Sequence, residues 1–369
     1  MQLKIKTAVL QDMMNKAVKG VGNDKAMPLT QLMGVEVDDG YLCLTTTDGE
    51  NFLTVFDKPE EVVDPAAFCV SADMFSKLVL KTTSEFINLT LEKNVLKVKG
   101  NGTYTFPLSS DEEGDLVSIP HVTLKGLQGV EELGEIDAKD FKEIYSIGKT
   151  TIATNNAERV FTGFYLDKNG VVTATAAKAT FTKKVITQKP LLLSNALMAL
   201  ATLINSEKVK FHLFENKLVI TGKGLAVCGV CMPELDDYPI ESISEFVASE
   251  FKSNVKLNKT ALTNVLDRVG LFIGAYDKNG VSFNFGENGV IVADLHGAAS
   301  ELLKTEGKVD PFAVTLDIQS LRDMLSVNPD DAVSLDYGKP EAVRVSFGNT
   351  VQVLSTQLEE NEVSPEAAI

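Results

Sequence analysis

One short pattern is written three times along this chain, and it constrains the fold more than any other feature. Residues 86–102 (FINLTLEKNVLKVKGNG) alternate apolar and polar on both sides of Glu92-Lys93-Asn94, which predicts two strands joined by a tight turn. The pattern returns at 209–224 (VKFHLFENKLVITGKG), where Asn216, Gly222 and Gly224 fall 122 positions after Asn94, Gly100 and Gly102. A weaker copy covers 333–347 (VSLDYGKPEAVRVSF). An internal period of this length has to be settled before any single residue is read.

Upstream of each hairpin lies a helical pattern at 123-residue spacing: Phe75, Leu78 and Val79; Met198, Ala201 and Thr202; Leu321, Met324 and Leu325. Each repeat also opens with a helix whose residues recur at i, i+3, i+4 and i+7, which puts one apolar stripe on it. These are Leu10, Met13, Met14 and Ala17; Phe141, Ile144, Tyr145 and Gly148; Leu262, Val265, Leu266 and Val269. Asp137 is placed to cap the second of them. A further hairpin is expected between the two helices of each repeat, at 34–44, 163–173 and 280–292. The fold class is therefore α+β: three tandem repeats, each with two helices packed on antiparallel sheets. The expected domains are 1–128, 129–244 and 245–369. The acidic, turn-rich 109–115 leads into the first linker, and 233–244 (PELDDYPIESIS) is the second. From about 359 a loose tail is expected (EENEVSPEAAI).

A chain of 369 residues accommodates three such repeats, each large enough to bury its own core. No apolar run reaches the roughly 18 residues of a membrane span. Residues 1–7 lack the apolar segment of a signal peptide. Four scattered cysteines make no disulfide framework. Together these features predict a cytoplasmic protein with no membrane partner. The net charge of −16 opposes nucleic-acid binding by phosphate neutralisation. A nucleic-acid partner would have to be held by something other than attraction.

Several catalytic or metal-binding patterns are incomplete. Gly148-Lys149-Thr150 ends like a phosphate-binding loop, but Glu143 stands where the first glycine is needed, and the tripeptide closes a helix instead of opening one. Cys228 and Cys231 form a CxxC inside a strand-like run, 225–232, and Cys43 and Cys69 supply no second pair for a metal. The three histidines, His121, His212 and His296, neighbour no nucleophile or ligand cluster. Asp38-Asp39 and Asp236-Asp237 lie in turn or linker stretches, where Asp favours local backbone contacts. The chain reads as a non-enzyme, with no cofactor and no metal.

With the repeat in place, the chain resembles the bacterial DNA polymerase III β subunit, the sliding clamp. The resemblance covers residues 1–358. It is carried by the three-unit layout and by runs at 160–175 (VFTGFYLDKNGVVTAT), 213–222 and 316–325, with Tyr238 after two aspartates. It implies DNA-clamp-like domains in a head-to-tail homodimer, with the first repeat of one chain against the third of the other. The dimer closes a ring around double-stranded DNA, with sheets outside and two helices per domain lining the hole. A heterologous contact that closes gives a ring of this kind. The resemblance further implies a processivity factor that tethers DNA polymerase, is loaded by an ATP-dependent clamp loader, and works at the replication fork of a bacterium or in infected-host cytoplasm. A ring holds DNA by topology, so the negative charge is no obstacle. DNA-facing cations would then be Lys16, Lys19, Lys25, Lys77, Lys81, Lys139, Lys142, Lys149, Lys259, Arg268 and Arg322. The competing reading of each is the solvated face of an amphipathic helix.

The family also has a cleft between its second and third domains that receives short hydrophobic peptides from polymerases, the clamp loader and repair factors. By position its walls would be Phe161, Thr175, Ala177, Lys178, Ala179, Thr180, Asp317, Ser320, Val353, Leu354, Ser355, Thr356 and Gln357. The sequence departs from the family here. Where bacterial clamps usually carry Thr-Asp-Gly-His-Arg-Leu, this chain has Thr175-Ala176-Ala177-Lys178-Ala179-Thr180. A Met-Pro-Met-Arg-like ending is replaced by Leu354-Ser355-Thr356-Gln357, with eleven residues after Leu358. A different peptide or differently built walls are expected, as would suit a bacteriophage clamp. Core packing is the competing reading of Phe161, Val353 and Leu354. Leu354→Asp is expected to weaken peptide binding and leave dimerisation intact. For the whole chain the alternative is a monomeric tandem-repeat interaction scaffold with no DNA role.

Overall fold

The computed structural model describes residues 1–369 apart from 25, 65, 111–113, 120–129, 155, 215–216, 275–278, 306–308 and 358–369, and the side chains of 156–158 are also left undescribed. Its elements follow one order three times, with one extra short strand, β5, in the first copy. Strand β1 (Gln2–Lys6) and helix α1 (Thr7–Ala17) precede β2 (Leu32–Asp38), β3 (Tyr41–Thr47), β4 (Phe52–Asp57), β5 (Glu61–Val63) and β6 (Ala67–Ser71). Helix α2 (Ala72–Lys81) and strands β7 (Phe86–Glu92), β8 (Val95–Lys99) and β9 (Thr103–Pro107) complete the first copy. The second copy consists of β10 (Glu131–Asp137), α3 (Ala138–Gly148), β11 (Gly163–Asp167), β12 (Gly170–Ala174), β13 (Lys178–Thr182) and β14 (Leu191–Ser194). It closes with α4 (Asn195–Ala201), β15 (Lys208–Phe214), β16 (Lys217–Gly222) and β17 (Leu225–Val230). Helix α5 (Ile240–Ala248) precedes the third copy, which opens with β18 (Ser253–Asn258), α6 (Lys259–Val269), β19 (Gly280–Gly286), β20 (Gly289–Asp294) and β21 (Ser300–Leu303). Then come β22 (Phe312–Asp317), α7 (Ile318–Val327), β23 (Ala332–Lys339), β24 (Ala342–Phe347) and β25 (Thr350–Ser355).

Local chemistry explains these boundaries. Asp39 and Gly40, between β2 and β3, both have positive φ (48° and 79°), the backbone that a two-residue hairpin requires and that Asp-Gly tolerates. Helices α2, α4 and α7 each start on a side-chain cap: Ser71 accepts from the Met74 amide, Ser194 from Leu197 and Asp317 from Ser320. These caps fall 123 residues apart, as the repeat demands. The helix stripes are buried as their spacing predicts, with Leu10, Met13, Met14 and Ala17 inside on α1 and Leu262, Val265, Leu266 and Val269 on α6.

The chain forms two compact units. The first comprises Met1–Lys142 and Ile186–Pro233. It holds one sheet in the order β5-β1-β7-β8-β9 and an eight-stranded sheet in the order β10-β15-β16-β17-β4-β3-β2-β6. In the larger sheet β17 pairs antiparallel with β4, with Leu225 opposite Val55 and Cys228 opposite Phe52, so strands of the first two copies make one sheet. The second unit comprises Glu143–Val185 and Glu234–Ile369. One of its sheets runs β11-β12-β13-β25-β24-β23-β18 and the other β21-β20-β19-β22. Here β13 pairs with β25, joining second-copy to third-copy strands. The core of this unit gathers Phe283, Phe285, Leu316, Leu321, Leu335 and Leu354 among others.

Some expectations are corrected. The segment 233–244 is not simply a linker, since α5 begins inside it with Ile240, Ile243 and Val247 at helical spacing. Arg344 Nη1 donates to Val247 O and Ser249 O, which satisfies carbonyls at the end of that helix. Asp137 does stand directly before α3, and its carboxylate lies 2.9 Å from Lys208 Nζ. Strand β17 ends at Val230, so Cys231 lies beyond it. The expected tail and His121 lie outside the described residues.

Candidate nucleic-acid interface and partner cleft

The structure sets the sequence-predicted cations on or beside helices: Lys16 on α1, Lys19 in the 3-10 turn that extends it, Lys77 and Lys81 on α2, and Lys139 and Lys142 on α3. Lys149 follows α3, Lys259 and Arg268 belong to α6, and Arg322 to α7. Lys25 lies outside the described residues. Four of these charges are already matched by acids: Lys16 with Asp12 (2.6 Å), Lys77 with Asp73 (2.7 Å), Arg268 with Glu301 (2.6 Å) and Arg322 with Asp267 (3.0 Å). The Arg268 fork binds both Glu301 oxygens and holds that carboxyl below its usual range. Among the described residues no carboxylate pairs with Lys19, Lys81 or Lys139.

Three other cations or amides fasten helix pairs. In the first unit Gln11 of α1 donates to Val79 O, Leu80 O and Thr82 O at the end of α2. Lys142 of α3 reaches Asn205 Oδ1 (3.0 Å), just beyond α4. In the second unit Lys259 Nζ donates to Asn328 O at the end of α7 (2.7 Å), and Arg322 Nη2 returns to Leu266 O of α6 (2.8 Å). In the first and third copies a side chain of the first helix thus meets backbone carbonyls at the end of the second, whereas in the second copy Lys142 reaches a side-chain oxygen beyond α4. Lys142, Lys259 and Arg322 therefore have structural work besides any contact with DNA.

The proposed cleft residues lie together in the second unit, but strand parity divides them. Ala179 stands opposite Val353, Thr180 opposite Gln352 and Lys178 opposite Leu354. Lys178, Thr180, Gln352 and Leu354 share the face toward α7. Leu354 is 0% exposed within the core, and Lys178 Nζ lies 3.4 Å from Asp323 of α7. Thr180 Oγ1 is 2.6 Å from Thr151 Oγ1 and accepts from Gln352 Nε2 at 3.2 Å. Leu354→Asp would therefore test the fold instead of a surface. Ala177, Ala179, Val353 and Ser355 share the opposite face with Phe181 and Val351, and α5 packs over it.

On that second face is a concavity of about 370 Å³, lined chiefly by Val172, Phe181, Ile243, Val247 and Val351, with Lys183 and Arg344 as its cations. Its size falls in the range of sites for small ligands or short peptides. Phe161 joins the same face through aromatic contacts: its ring lies 6.1 Å from Tyr238, which stacks at 4.9 Å on Tyr165, a neighbour of Val172 across the ladder. The remaining candidates build turns and caps. Thr175 Oγ1 accepts from the Ala177 and Lys178 amides, and Asp317 Oδ1 accepts from Ser320 N at 2.6 Å. Thr356 and Gln357 donate their amides to Glu341 O and Thr315 O. The sequence did not single out α5, Phe181 or Lys183, which line this concavity. The helical spacing of Ile240, Ile243 and Val247 was the available signal for α5.

Elsewhere the chemistry stays quiet. Thr150 Oγ1 donates to Ile147 O as α3 ends, so the Gly-Lys-Thr run is a helix terminus. Burial raises the thiols of Cys228 and Cys231, which opposes thiolate formation. His212 Nε2 sits 3.1 Å from Thr221 Oγ1, and burial lowers its pKa. Among the described residues no cluster of three or more His, Cys, Asp or Glu could hold a metal, and no helix is long and apolar enough to cross a membrane.

No family model and no curated protein matches the chain. Solved structures do match over nearly all of it. A putative DNA polymerase III β subunit from Eubacterium rectale ATCC 33656 superposes with a TM-score of 0.82 at 16% identity, covering 97% of this chain and 99% of that one. The DNA polymerase sliding clamp of Bacillus subtilis gives 0.83 at 12% identity, with the same coverage. That of Pseudomonas aeruginosa gives 0.83 at 14%, covering 97% and 100%. At such low identity what is shared is the fold: this chain has the architecture of DNA polymerase III β subunits, the sliding clamps.

Proposed function

We propose that the chain is a divergent DNA sliding clamp, a non-enzymatic processivity factor whose three domains (1–128, 129–244 and 245–369) form half of a head-to-tail ring. The observation that carries this reading is the way sheets are completed. Within the first unit β17 of the second copy pairs with β4 of the first, and within the second unit β25 of the third copy pairs with β13 of the second. In element order β9 is the counterpart of β17 and β25, while β21 is the counterpart of β4 and β13. Among the described residues, β9 and β21 each end their sheet with one edge unpaired. A second copy that offers its β21 to β9 repeats the same contact a third time. Unpaired strand edges otherwise invite irregular association.

Apolar exposure gathers near these edges. Leu271 (80% exposed) and Phe272 (54%) follow α6, which packs on β21, and Leu302 of β21 is 49% exposed. On the other edge Tyr104 of β9 is 41% exposed. Exposed apolar clusters of this kind mark protein–protein contacts. A ring holds duplex DNA by enclosure, so an acidic protein with few unmatched helix cations can slide on it without phosphate friction. The polymerase and the ATP-dependent clamp loader are its expected partners, in a replicating cytoplasm, and the concavity beneath α5 is where their peptides would dock. Light scattering on the eluting protein tests the assembly. A mass near twice 39.9 kDa is expected, and a strict monomer at micromolar concentration would remove the ring.

A further inference from the structure

We propose that residues 358–369 dock on the outer face of the β21-β20-β19-β22 sheet of their own chain, where Val363 and Ile369 cover Ile291 and Leu302. In each copy the chain leaving the last strand returns to one equivalent strand. In the first, the Ile119 backbone bonds the Cys69 thiol of β6. In the second, Met232 donates its amide to Leu192 O of β14, and in the third Gln357 donates its amide to Thr315 O of β22 (2.9 Å). Cys69, Leu192 and Thr315 fall 123 residues apart. In the first two copies the returning chain then covers the outer face of the sheet. Ile119 lies over Gly34, where an added Cβ would stand 3.4 Å from Ile119 Cβ. Tyr238, six residues after Met232, stacks on Tyr165 at 4.9 Å, and Ile243 of α5 lines one concavity with Val172 and Phe181.

The third copy begins the same path over a face that is still bare. Gly170 and Gly289 open β12 and β20 with positive φ (144° and 128°), so Val172 and Ile291 hold equivalent positions two residues on. Phe181 stands opposite Val172, and Leu302 opposite Ile291. Val172 is 1% exposed, whereas Ile291 is 44% and Leu302 49% exposed. Around this pair Ser282, Asn284, Ala293, Ser300 and Ala313 share the outer face, and none is charged. Such a face suits an apolar contact, and these residues offer no carboxylate to repel the four glutamates of 358–369. The chain already enters the face at Gln357. Gln357 Oε1 and Leu295 Cδ1 lie 2.6 and 2.8 Å from where a Cβ on Gly280 would stand. Counted from Met232 and Gln357, Val363 is the counterpart of Tyr238, and Ile369 falls one residue past the counterpart of Ile243. From β22 to β21 is about 14 Å at ordinary strand spacing, and twelve residues reach at most about 40 Å. A weak contact suffices, because the tether holds the segment at about millimolar effective concentration.

The chain has no tryptophan, so Ile369→Trp in the full-length protein places a single fluorescent reporter at the contact. Its emission is expected to be blue-shifted, and less quenched by acrylamide, than in the same protein carrying Ile291→Asp and Leu302→Asp. Those two positions are exposed, so circular dichroism should be unchanged by them. In the natural sequence, removal of residues 358–369 should move the methyl resonances of Ile291 and Leu302. Val363→Asp with Ile369→Asp should move them in the same direction. The emission of a fully exposed indole in Ile369→Trp would overturn the proposal, and so would a blue shift that survives Ile291→Asp with Leu302→Asp. Methyl resonances of Ile291 and Leu302 that ignore the loss of the segment would overturn it as well. A blue shift that vanishes on dilution would assign the contact to a second copy and contradict docking within one chain. Because the contact is internal to the chain, it is expected in monomer and dimer alike, and its failure is distinguishable from failure of the ring.

Discussion

Val353 and Leu354 are adjacent, both fully buried, and face opposite ways, one under α5 and the other into the core against α7. A strand buried on both faces carries no polar–apolar alternation, so the sequence could not assign either residue to a face. Leu354→Ala should cost about 3 kcal/mol in urea denaturation, the usual price of a core truncation. A cost below about 1 kcal/mol would place Leu354 on a surface after all. The cysteines illustrate burial of another kind. Desolvation pushes the Cys43 thiol up to about 12 and that of Cys69 to about 11, from an ordinary 9.0. A raised folded-state value means that the neutral thiols contribute their full stability below about pH 9, and that this contribution is lost as pH rises through the folded values. The urea midpoint should therefore fall from pH 9 to 11, and Cys43→Ala with Cys69→Ala should flatten the decline. An identical decline in that double variant would contradict the assignment.

At the scale of elements, much of the chain was legible. Helix stripes and hairpins at a fixed spacing survive divergence because burial imposes their periodicity. The caps Ser71, Ser194 and Asp317 carry the same spacing and would have strengthened the reading. Asp317→Ala should lower stability by about 1 kcal/mol through the orphaned amide of Ser320, seen as a lower melting temperature. An unchanged melting temperature would deny the cap its role. The candidate cleft was less legible, because α5 begins inside a stretch rich in turn-forming residues. Its floor also depends on which strands from distant parts of the chain become neighbours. Likewise Lys142, Lys259 and Arg322 read as exposed helix cations in the sequence, whereas the structure gives each a carbonyl or amide oxygen across a helix pair.

In the whole molecule, the internal repeat makes the open edges of β9 and β21, among the described residues, equivalent to the β17–β4 and β25–β13 edges that are paired. If the chain forms the proposed head-to-tail dimer, Leu271→Lys combined with Phe272→Lys should leave a folded monomer at micromolar concentration, because two charges would be buried without partners in an apolar contact. Light scattering with unchanged circular dichroism would register that outcome, and a persistent dimer would move the interface elsewhere. The most direct measurement is retention on DNA after loading. Protein on a nicked circle should stay bound through a high-salt wash and leave when the circle is cut once, because enclosure survives salt but not a free end. Rapid loss from the intact circle, or equal retention on circle and linear duplex, would contradict a ring that holds DNA by surrounding it.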